Sequence, residues 1–395
     1  GCCSLPCAGG AQTVMTLLRE LLPFLAIAPP LVYSLLSLWA ASRYFHRQKP
    51  FAREFPPATI LKPVKGLDAE SFDNFTSFCR QNYGAFQIVF AVASSDDEVL
   101  PVIRRIIDEF PHLDIELVVD GRVYGPNYKV CNLMNAFPLA KHDIIIVCDS
   151  DIRVGERYLE EVCSPFADPS VGVVTSLYRT SGVQGYASAI EALGFTVEMV
   201  PNVMVAMGLE GITFALGASM AIRRQALEKI GGFGALVDYL ADDYQLGNRA
   251  LLSGYRIELS DYFVESVMRR ERLATVVSRQ LRWCRTMRVS RPVGYFASGV
   301  TQPAIASIVA ILAGGFGWGL PAVMLLYAVR SLVGVLFSRR YLCDGLLPKY
   351  LWLLPLRDLL AAATWGMAFA GNAVSWRGDR YRVLPGGRML EAKRR

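Results

Sequence analysis

The sequence lacks the patterns that usually indicate a zinc site, a disulfide scaffold or a dinucleotide fold. Its nine cysteines are scattered, odd in number and never spaced as Cys-x-x-Cys, so no disulfide framework is predicted. Only three histidines are present, which leaves carboxylates as the expected metal ligands and bases. The glycine-rich phosphate fingerprints of dinucleotide-binding and P-loop folds are also missing.

Charge is missing over long stretches of a chain that is 53% hydrophobic. Residues 21–42 carry no charge and are long enough for one membrane span, which Pro29 and Pro30 would kink. A cleaved signal peptide is the alternative, but no small-x-small cleavage site precedes a polar mature start. We predict an N-terminal tail over 1–20 and a transmembrane anchor over 21–42. A basic cluster follows and, by the positive-inside bias, places the next segment in the cytoplasm: Arg43, His46, Arg47, Lys49 and Arg53.

Hydropathy falls beyond the anchor, and apolar strand patterns alternate with helical ones. This alternation is typical of an α/β domain with a mostly parallel sheet covered by helices, which we assign to residues 43–291. The net charge of +6 is modest, and its basic residues lie beside apolar segments, so a membrane surface fits better than nucleic acid. The strands are predicted over residues 59–61, 87–92, 114–119 and 144–148.

The C-terminal part of the chain is again apolar. Residues 292–329 carry no charge, and the glycine-rich break at 314–321 predicts two helices joined by a tight turn. Residues 350–376 are apolar but contain Arg357 and Asp358, which form either a buried intramembrane pair or the wet side of an interfacial helix. We predict a membrane region over 292–376, with two spans plus a spanning or interfacial segment, and a basic tail over 377–395.

Two carboxylates follow the most apolar strand of the predicted sheet. Asp149 and Asp151 are spaced i, i+2 at the C-terminal end of this strand, which is where an open α/β sheet binds its ligand. Asp-x-Asp there offers hard oxygen ligands to Mg²⁺ or Mn²⁺, which in turn hold a diphosphate. The alternative is a turn that closes a core strand.

Two further motifs have both a catalytic and a structural interpretation. Asp243 lies in a turn that leads to a helix, so it either accepts the proton of an acceptor hydroxyl or caps the helix. Arg279, Arg282 and Trp283 share one helix face. They could hold leaving diphosphate charge and stack against a sugar, or form an interfacial belt before a membrane span.

Taken together, these features resemble the aspartate, Asp-x-Asp, aspartate, (Gln/Arg)-x-x-Arg-Trp series of inverting membrane glycosyltransferases. More closely, the chain is similar to the ceramide glucosyltransferase family and its bacterial relatives, including the hopanoid-associated glycosyltransferases. The matching segments follow one another over nearly the whole chain, at residues 61–66, 125–129, 148–154, 243–244, 279–283 and 375–377.

The resemblance implies a GT-A fold inserted between N-terminal and C-terminal transmembrane helices, a UDP-sugar donor and a divalent cation. Asp149 and Asp151 would bind the metal and the diphosphate, and Asp243 would be the general base. Further residues would lie near the donor or close the site: Pro63, Asn127 and Lys129 for the donor, and Arg279, Arg282 and Trp283 for closure. Ser94 stands where relatives often carry an acidic residue, which leaves Asp96 or Asp97 to contact the uridine.

The expected activity is transfer of one sugar, glucose or N-acetylglucosamine, to a hydroxyl of ceramide or a hopanoid polyol, with inversion. A multi-pass protein of the bacterial inner membrane, with its catalytic domain in the cytoplasm, fits this activity. Two alternatives remain open from the sequence. One is a processive polysaccharide synthase of the same superfamily, and the other is a non-catalytic membrane scaffold that retains a nucleotide-binding domain.

Overall fold

An eight-stranded sheet forms the centre of the computed structural model, which describes residues 8–47, 55–376 and 379–391, with side chains from residue 19 onward. The strand order is β3-β2-β1-β4-β7-β6-β8-β5. The strands are β1 (Ala58–Val64), β2 (Phe86–Val92), β3 (Asp114–Val119), β4 (Ile144–Cys148), β5 (Ile152–Arg153), β6 (Val171–Ser181), β7 (Ser219–Arg223) and β8 (Arg256–Val267).

Strands β3, β2, β1 and β4 run parallel, and β6 runs parallel to β8. The pairs β4–β7, β6–β7 and β5–β8 are antiparallel, so the sheet is mixed with a parallel majority. This confirms the predicted fold class and the four predicted strands, of which the first is longer than expected.

Helices cover both faces of the sheet. They are α1 (Ala8–Phe45), α2 (Ser71–Cys79), α3 (Leu100–Glu109), α4 (Tyr128–Ala136), α5 (Tyr158–Cys163), α6 (Gly185–Gly194), α7 (Val200–Leu209), α8 (Arg224–Lys229), α9 (Asp242–Leu252), α10 (Leu273–Ser290), α11 (Pro292–Ala297), α12 (Pro303–Leu336), α13 (Leu346–Tyr350) and α14 (Leu354–Met367).

Strand β4 shows why the apolar run folds as a doubly buried strand. All five of its residues are buried, and they alternate between two hydrophobic clusters. Ile145 and Val147 pack on the face that carries α4 and α7, while Ile144, Ile146 and Cys148 pack on the face that carries α2, α3 and α5. Because each large apolar side chain contributes roughly 1.5–3 kcal/mol when buried, this strand is a rigid support for the residues that follow it.

Among the residues that the structure describes, three helical segments are long and apolar enough to cross a membrane: Arg19–Phe45, Gly185–Leu209 and Pro303–Leu342. The predicted anchor lies within the first of them. The second was not predicted from the sequence, and most of it is buried inside the protein. It consists of α6, a π-helical turn (Phe195–Met199) and α7, which packs against α1. Helix α1 therefore packs against apolar helices from both the middle and the C-terminal part of the chain, α7 and α12.

Helix α12 folds back on itself at Gly315. This residue has φ +60°, a left-handed conformation that glycine adopts without steric cost. The two limbs pack so closely that a Cβ on Gly319 would lie 2.6 Å from the carbonyl oxygen of Ala310. Ile27 of α1 packs in the same small apolar cluster. The predicted pair of helices joined by a tight turn is confirmed.

Helix α14 carries Arg357 and Asp358, and both side chains are buried. They do not pair with each other. Asp358 accepts two hydrogen bonds of 2.7 Å from Arg330, and Arg357 donates to Glu198. The helix spans 14 residues, or about 21 Å, which is shorter than the hydrocarbon core of about 30 Å. Both charged side chains face the protein rather than water. Asp358 pairs with α12, and Arg357 pairs with the π-helical turn that contains Glu198.

A small second sheet begins within the last four residues of the predicted membrane region and continues beyond it. Strands β9 (Ala373–Trp376), β10 (Asp379–Val383) and β11 (Met389–Glu391) pair antiparallel in the order β11-β10-β9. The segment predicted as a basic tail thus folds over its described part, residues 379–391. The sheet packs against α10 and against the loop that precedes α9.

Candidate active site

A cavity of about 460 Å³ opens at the C-terminal edge of β1 and β4, a size typical of small-ligand sites. Its walls come from the turn after β4, from α4, α9 and α10, and from the helical segment that contains Phe195. Eight of the residues predicted from the sequence line it: Pro63, Lys129, Asp149, Asp151, Asp243, Arg279, Arg282 and Trp283. The fold thus brings together motifs that are separated by more than 200 residues of chain (63 to 283).

Lys129 connects the two aspartate motifs. Its Nζ lies 2.7 Å from an oxygen of Asp149 and 3.6 Å from an oxygen of Asp242. Burial opposes a charge on this lysine, but the carboxylates of Asp149, Asp242 and Asp243 together hold its pKa above the ordinary value. Lys129 is therefore a permanent cation that offsets the repulsion between these carboxylates.

Asp149 and Asp151 follow β4 and face the cavity. Lys62, buried below this turn, donates from Nζ to the main-chain oxygen of Asp149 at 3.0 Å, and Ser266 donates to Asp151 at 3.1 Å. Burial and then the neighbouring charges of Asp149 and Asp68 raise the pKa of Asp151 to about 6. A cation beside Asp151 would remove this repulsion.

Asp149 and Asp151 fit a divalent cation whose remaining ligands are substrate phosphates and water. Across residues 8–47, 55–376 and 379–391, no group of three His, Cys, Asp or Glu side chains could enclose a metal ion. Mg²⁺ is commonly held by one or two carboxylates together with substrate phosphates and water, rather than by a full protein cage. The donor set at this turn has that character.

Asp243 lies at the start of α9, where its side chain accepts a hydrogen bond of 2.7 Å from the main-chain N–H of Tyr244. Burial and then the charge of Asp242 raise its pKa to about 6, against the opposing effect of Lys129. Gly217 borders the same carboxylate so closely that a Cβ there would lie 3.0 Å from its oxygen. Asp243 is thus a cavity carboxylate that is ionised at neutral pH and weakly basic.

If Asp243 acts as a base, the pH dependence of catalysis should show an acid limb near pH 6. Below this pH Asp243 becomes protonated and cannot accept a proton, so kcat/KM should fall about tenfold per pH unit, while above pH 7 it should be level. The profile is measured between pH 5 and 8.5. Asp151 titrates in the same range, so Mg²⁺ is kept saturating in order to separate its titration from that of Asp243. A profile that is level down to pH 5 would contradict this prediction.

The helix α10 brings Arg279, Arg282 and Trp283 to the cavity. Arg279 is held by two carboxylates: Glu191 accepts from its Nε at 2.6 Å, and Glu271 accepts from Nη1 at 3.3 Å. Although burial opposes it, these hydrogen bonds hold the pKa of Arg279 above the ordinary value. Most of its charge is therefore engaged within the protein, and its contact with a leaving group stays a prediction.

An aromatic wall continues from Trp283. Its ring lies 6.0 Å from that of Phe195, which in turn packs edge to face with Tyr178 at 4.9 Å. Phe195 opens the π-helical turn in the apolar segment Gly185–Leu209. Such π-turns are frequent at functional sites because they redirect one side chain out of the helical repeat.

Three predicted donor-binding residues lie outside the cavity lining. Asn127 is buried, caps α4 by accepting from Val130 N–H at 3.1 Å, and donates to Asp242 at 3.3 Å. Asp97 accepts from the main-chain N–H groups of Gly66 and Val99 at 3.0 Å each. Asp96 is exposed at the same strand end. Their contact with a donor stays a prediction, and the structure gives Asn127 and Asp97 supporting contacts.

Several cavity residues were not singled out from the sequence: Asp68, Tyr178, Glu191, Phe195, Ser266 and Glu271. For Glu191 a signal exists, since it is one of only two charges, with Glu198, in the otherwise apolar segment Gly185–Leu209. Asp68 follows the matched segment 61–66 by two residues. The others carry no pattern that distinguishes them from ordinary surface or core positions.

A mixed α/β sheet that presents Asp-x-Asp, a further aspartate and an Arg-x-x-Arg-Trp helix to one cavity defines a GT-A glycosyltransferase. The fold is shared with a solved mannosyltransferase of Pyrobaculum calidifontis, in complex with GDP-Man and Mn²⁺. The two are 20% identical with a TM-score of 0.53, and the match covers 89% of this chain and 99% of that one. The chain belongs to glycosyl transferase family 21, whose family model matches residues 22–389.

Two relatives in Caenorhabditis elegans extend over nearly the whole chain. Ceramide glucosyltransferase 1 is 23% identical over 375 residues, which cover 92% of this chain and 79% of the relative. Ceramide glucosyltransferase 3 is 22% identical over 392 residues, which cover 97% and 85%. The resemblance to the ceramide glucosyltransferase family is confirmed, and with it glycosyltransferase activity, which disfavours a non-catalytic scaffold. The apolar helices add that this is a membrane protein.

Proposed function

We propose that the enzyme transfers a single glucose or N-acetylglucosamine from a UDP-sugar to a hydroxyl of a membrane lipid, with inversion at the anomeric carbon. Ceramide and a hopanoid polyol are the candidate acceptors. The observation that carries this proposal is that one cavity joins the ionised base candidate Asp243, the Asp149/Asp151 pair and the apolar segment Gly185–Leu209.

The donor half of the cavity is its aspartate-rich wall. Asp149 and Asp151 would hold Mg²⁺ or Mn²⁺, which neutralises diphosphate charge when bound. The mannosyltransferase with the same fold was solved with a nucleotide sugar and Mn²⁺, which supports this assignment. Arg282 lines the cavity beside Trp283, where it can stabilise the charge that develops on departing UDP.

The base half is Asp243. Its carboxylate accepts the proton of the acceptor hydroxyl while that oxygen forms a bond to the anomeric carbon. The bond from this carbon to the diphosphate oxygen breaks in the same displacement, and UDP leaves with its electron pair. Attack from the opposite face converts an α-linked donor to a β-linked product.

The acceptor half borders the apolar helices. Glu191 and Phe195 line the cavity, and further along the same helical segment Asn202 is exposed and accepts a hydrogen bond from Tyr33 of α1. Polar groups on an otherwise apolar helix are costly in a bilayer and usually mark a substrate path. A lipid can therefore place its polar head at the cavity while its chains stay beside α1 and α7.

The orientation follows from the charges that flank α1. Arg43 and Arg47 follow its apolar core, and Arg47 pairs with Asp261 of the catalytic domain at 2.7 Å. By the positive-inside bias these residues favour a cytoplasmic location for the catalytic domain. For a bacterial chain the membrane would be the inner one.

The test uses the full chain in nanodiscs that contain ceramide, a hopanoid polyol or total bacterial lipid. Each preparation is incubated with radiolabelled UDP-glucose or UDP-N-acetylglucosamine and Mg²⁺, and the product is analysed by mass spectrometry. We expect one lipid class to gain a single β-linked sugar. A ladder of products would instead indicate a processive synthase, and UDP release without labelled lipid would refute a lipid acceptor.

A further inference from the structure

The small C-terminal sheet returns to the active site after the chain has passed through the membrane region. Strand β11 runs beside the loop 237–241, which leads directly into Asp242 and Asp243. The main-chain N–H of Met389 donates to the main-chain oxygen of Asp238 at 2.7 Å. The main-chain N–H of Leu240 donates to the main-chain oxygen of Gly387 at 3.4 Å. The loop is thus paired with the sheet as if it were a fourth, short strand.

An apolar core fixes this contact. Leu240 is buried in one cluster with residues of all three strands, namely Val374, Tyr381, Val383 and Met389. The glycine pair before β11 has φ +81° and +88°, a conformation that other residues rarely adopt. This turn places the carbonyl of Gly387 opposite Leu240, so the approach of sheet and loop is specified by both backbone and side chains.

The loop is held from its other side by α4. The main-chain N–H of Asn127 donates to the main-chain oxygen of Val237 at 3.0 Å. Its side-chain amide donates to the main-chain oxygen of Tyr239 at 2.8 Å. The loop therefore lies between α4, which carries Lys129, and the C-terminal sheet.

The same sheet is tied to the cationic helix α10. Arg285 donates to the main-chain oxygen of Ala373, and Arg288 donates to the side-chain oxygen of Asn372. Trp376, at the end of β9, lines the cavity together with Arg282 and Trp283. One element thus contacts both the loop that leads to Asp243 and the helix that carries Arg282 and Trp283.

We propose that the sheet β9–β11 is a positioning element of the active site, which sets the place of Asp243 through the loop 237–241 while its Trp376 forms part of the cavity wall. This inference rests on the proposed role of Asp243 as the base. It assigns a function to the matched segment 375–377, of which residues 375 and 376 lie in the described part of the chain.

The test compares variants of one strand. Met389→Pro removes the N–H that bonds Asp238, whereas Met389→Leu keeps that N–H and the apolar side chain. Leu390→Ala is the matched control, because Leu390 is exposed on the same strand. For Met389→Pro we expect kcat to fall roughly 10- to 100-fold, the loss typical of a displaced catalytic group. The affinity for UDP should stay within about twofold, since UDP is held by a different wall.

The pH profile separates positioning from a structural role. If the loop moves, the acid limb of kcat/KM near pH 6 should shift for Met389→Pro and stay in place for Met389→Leu and Leu390→Ala. Unchanged kcat and an unchanged limb would overturn the inference. Parallel loss of UDP binding and kcat would also overturn it, since the sheet would then maintain the fold as a whole. Trp376→Ala, with Trp376→Phe as rescue, gives a second reading if Met389→Pro does not fold.

The two proposals can fail separately. If Asp243→Asn retains full transfer, the base assignment fails whatever the strand variants do. If Asp243→Asn is inactive while every variant of Met389 and Trp376 is fully active, only the positioning role fails.

Discussion

Asp243→Asn is expected to lower kcat for sugar transfer by roughly 10²- to 10⁴-fold, the contribution of a well-placed general base. The amide keeps the size of the side chain but cannot accept the proton of an attacking hydroxyl. Asp243 is separated from the proposed metal ligands Asp149 and Asp151 by Lys129, so the affinity for UDP should change little. The measurement is initial rate against donor concentration, with UDP binding by calorimetry on the same preparation.

The same variant should not lose stability, which distinguishes a catalytic defect from misfolding. A carboxyl with a raised pKa is disfavoured as an anion in the folded state, and this cost is fully present above about pH 6. Replacement by neutral Asn therefore should increase the free energy of unfolding at pH 7.5, on the order of 3 kcal/mol.

Asp143→Asn is the control, since Asp143 is exposed and its pairing with Arg224 is long, at 3.9 Å. It should leave both the rate and the stability nearly unchanged, because surface pairs contribute about 0–1 kcal/mol. Retention of more than a tenth of the wild-type rate by Asp243→Asn would require a different base.

Lys129→Met is expected to have the largest combined effect on stability and activity. It leaves Asp149, Asp242 and Asp243 close together without their shared cation. Removal of one partner from a buried charge network typically costs about 3–5 kcal/mol. We expect a loss of this size in the free energy of unfolding by urea, together with a fall in kcat/KM of more than about 100-fold.

A double variant tests the electrostatic reason. Lys129→Met with Asp242→Asn removes one of the unbalanced carboxylates, so it should regain part of the lost stability without regaining activity. The matched control is Lys141→Met, because Lys141 also contacts two carboxylates, Asp114 and Glu116, but is half exposed. Equal losses for Lys129→Met and Lys141→Met would show that burial does not decide the effect.

The local features of this protein were predictable from sequence because they depend on neighbouring residues. An uncharged, β-branched run such as Ile144–Cys148 is typical of a strand that is buried on both faces. The C-terminal end of that strand sets the position of Asp149 and Asp151. Likewise, the charge-free segment around Gly315 is too long for a single membrane span. Gly315 itself can adopt the left-handed conformation that turns the chain back. The matched motifs then identified the family.

The tertiary structure alone decided which distant groups meet. Lys129 could have contacted several carboxylates, but the packing of α4 against the loop before α9 places it between Asp149 and Asp242. Arg279 lines the cavity as the helix face predicts, but only the tertiary structure brings Glu191 and Glu271 to its guanidinium. The segment predicted as a basic tail became a sheet, since Leu240 supplies the apolar surface that strands so short and charged cannot bury alone. Pairings between elements far apart in the chain leave no local pattern, and they are chosen only when the folded core fixes which surfaces touch.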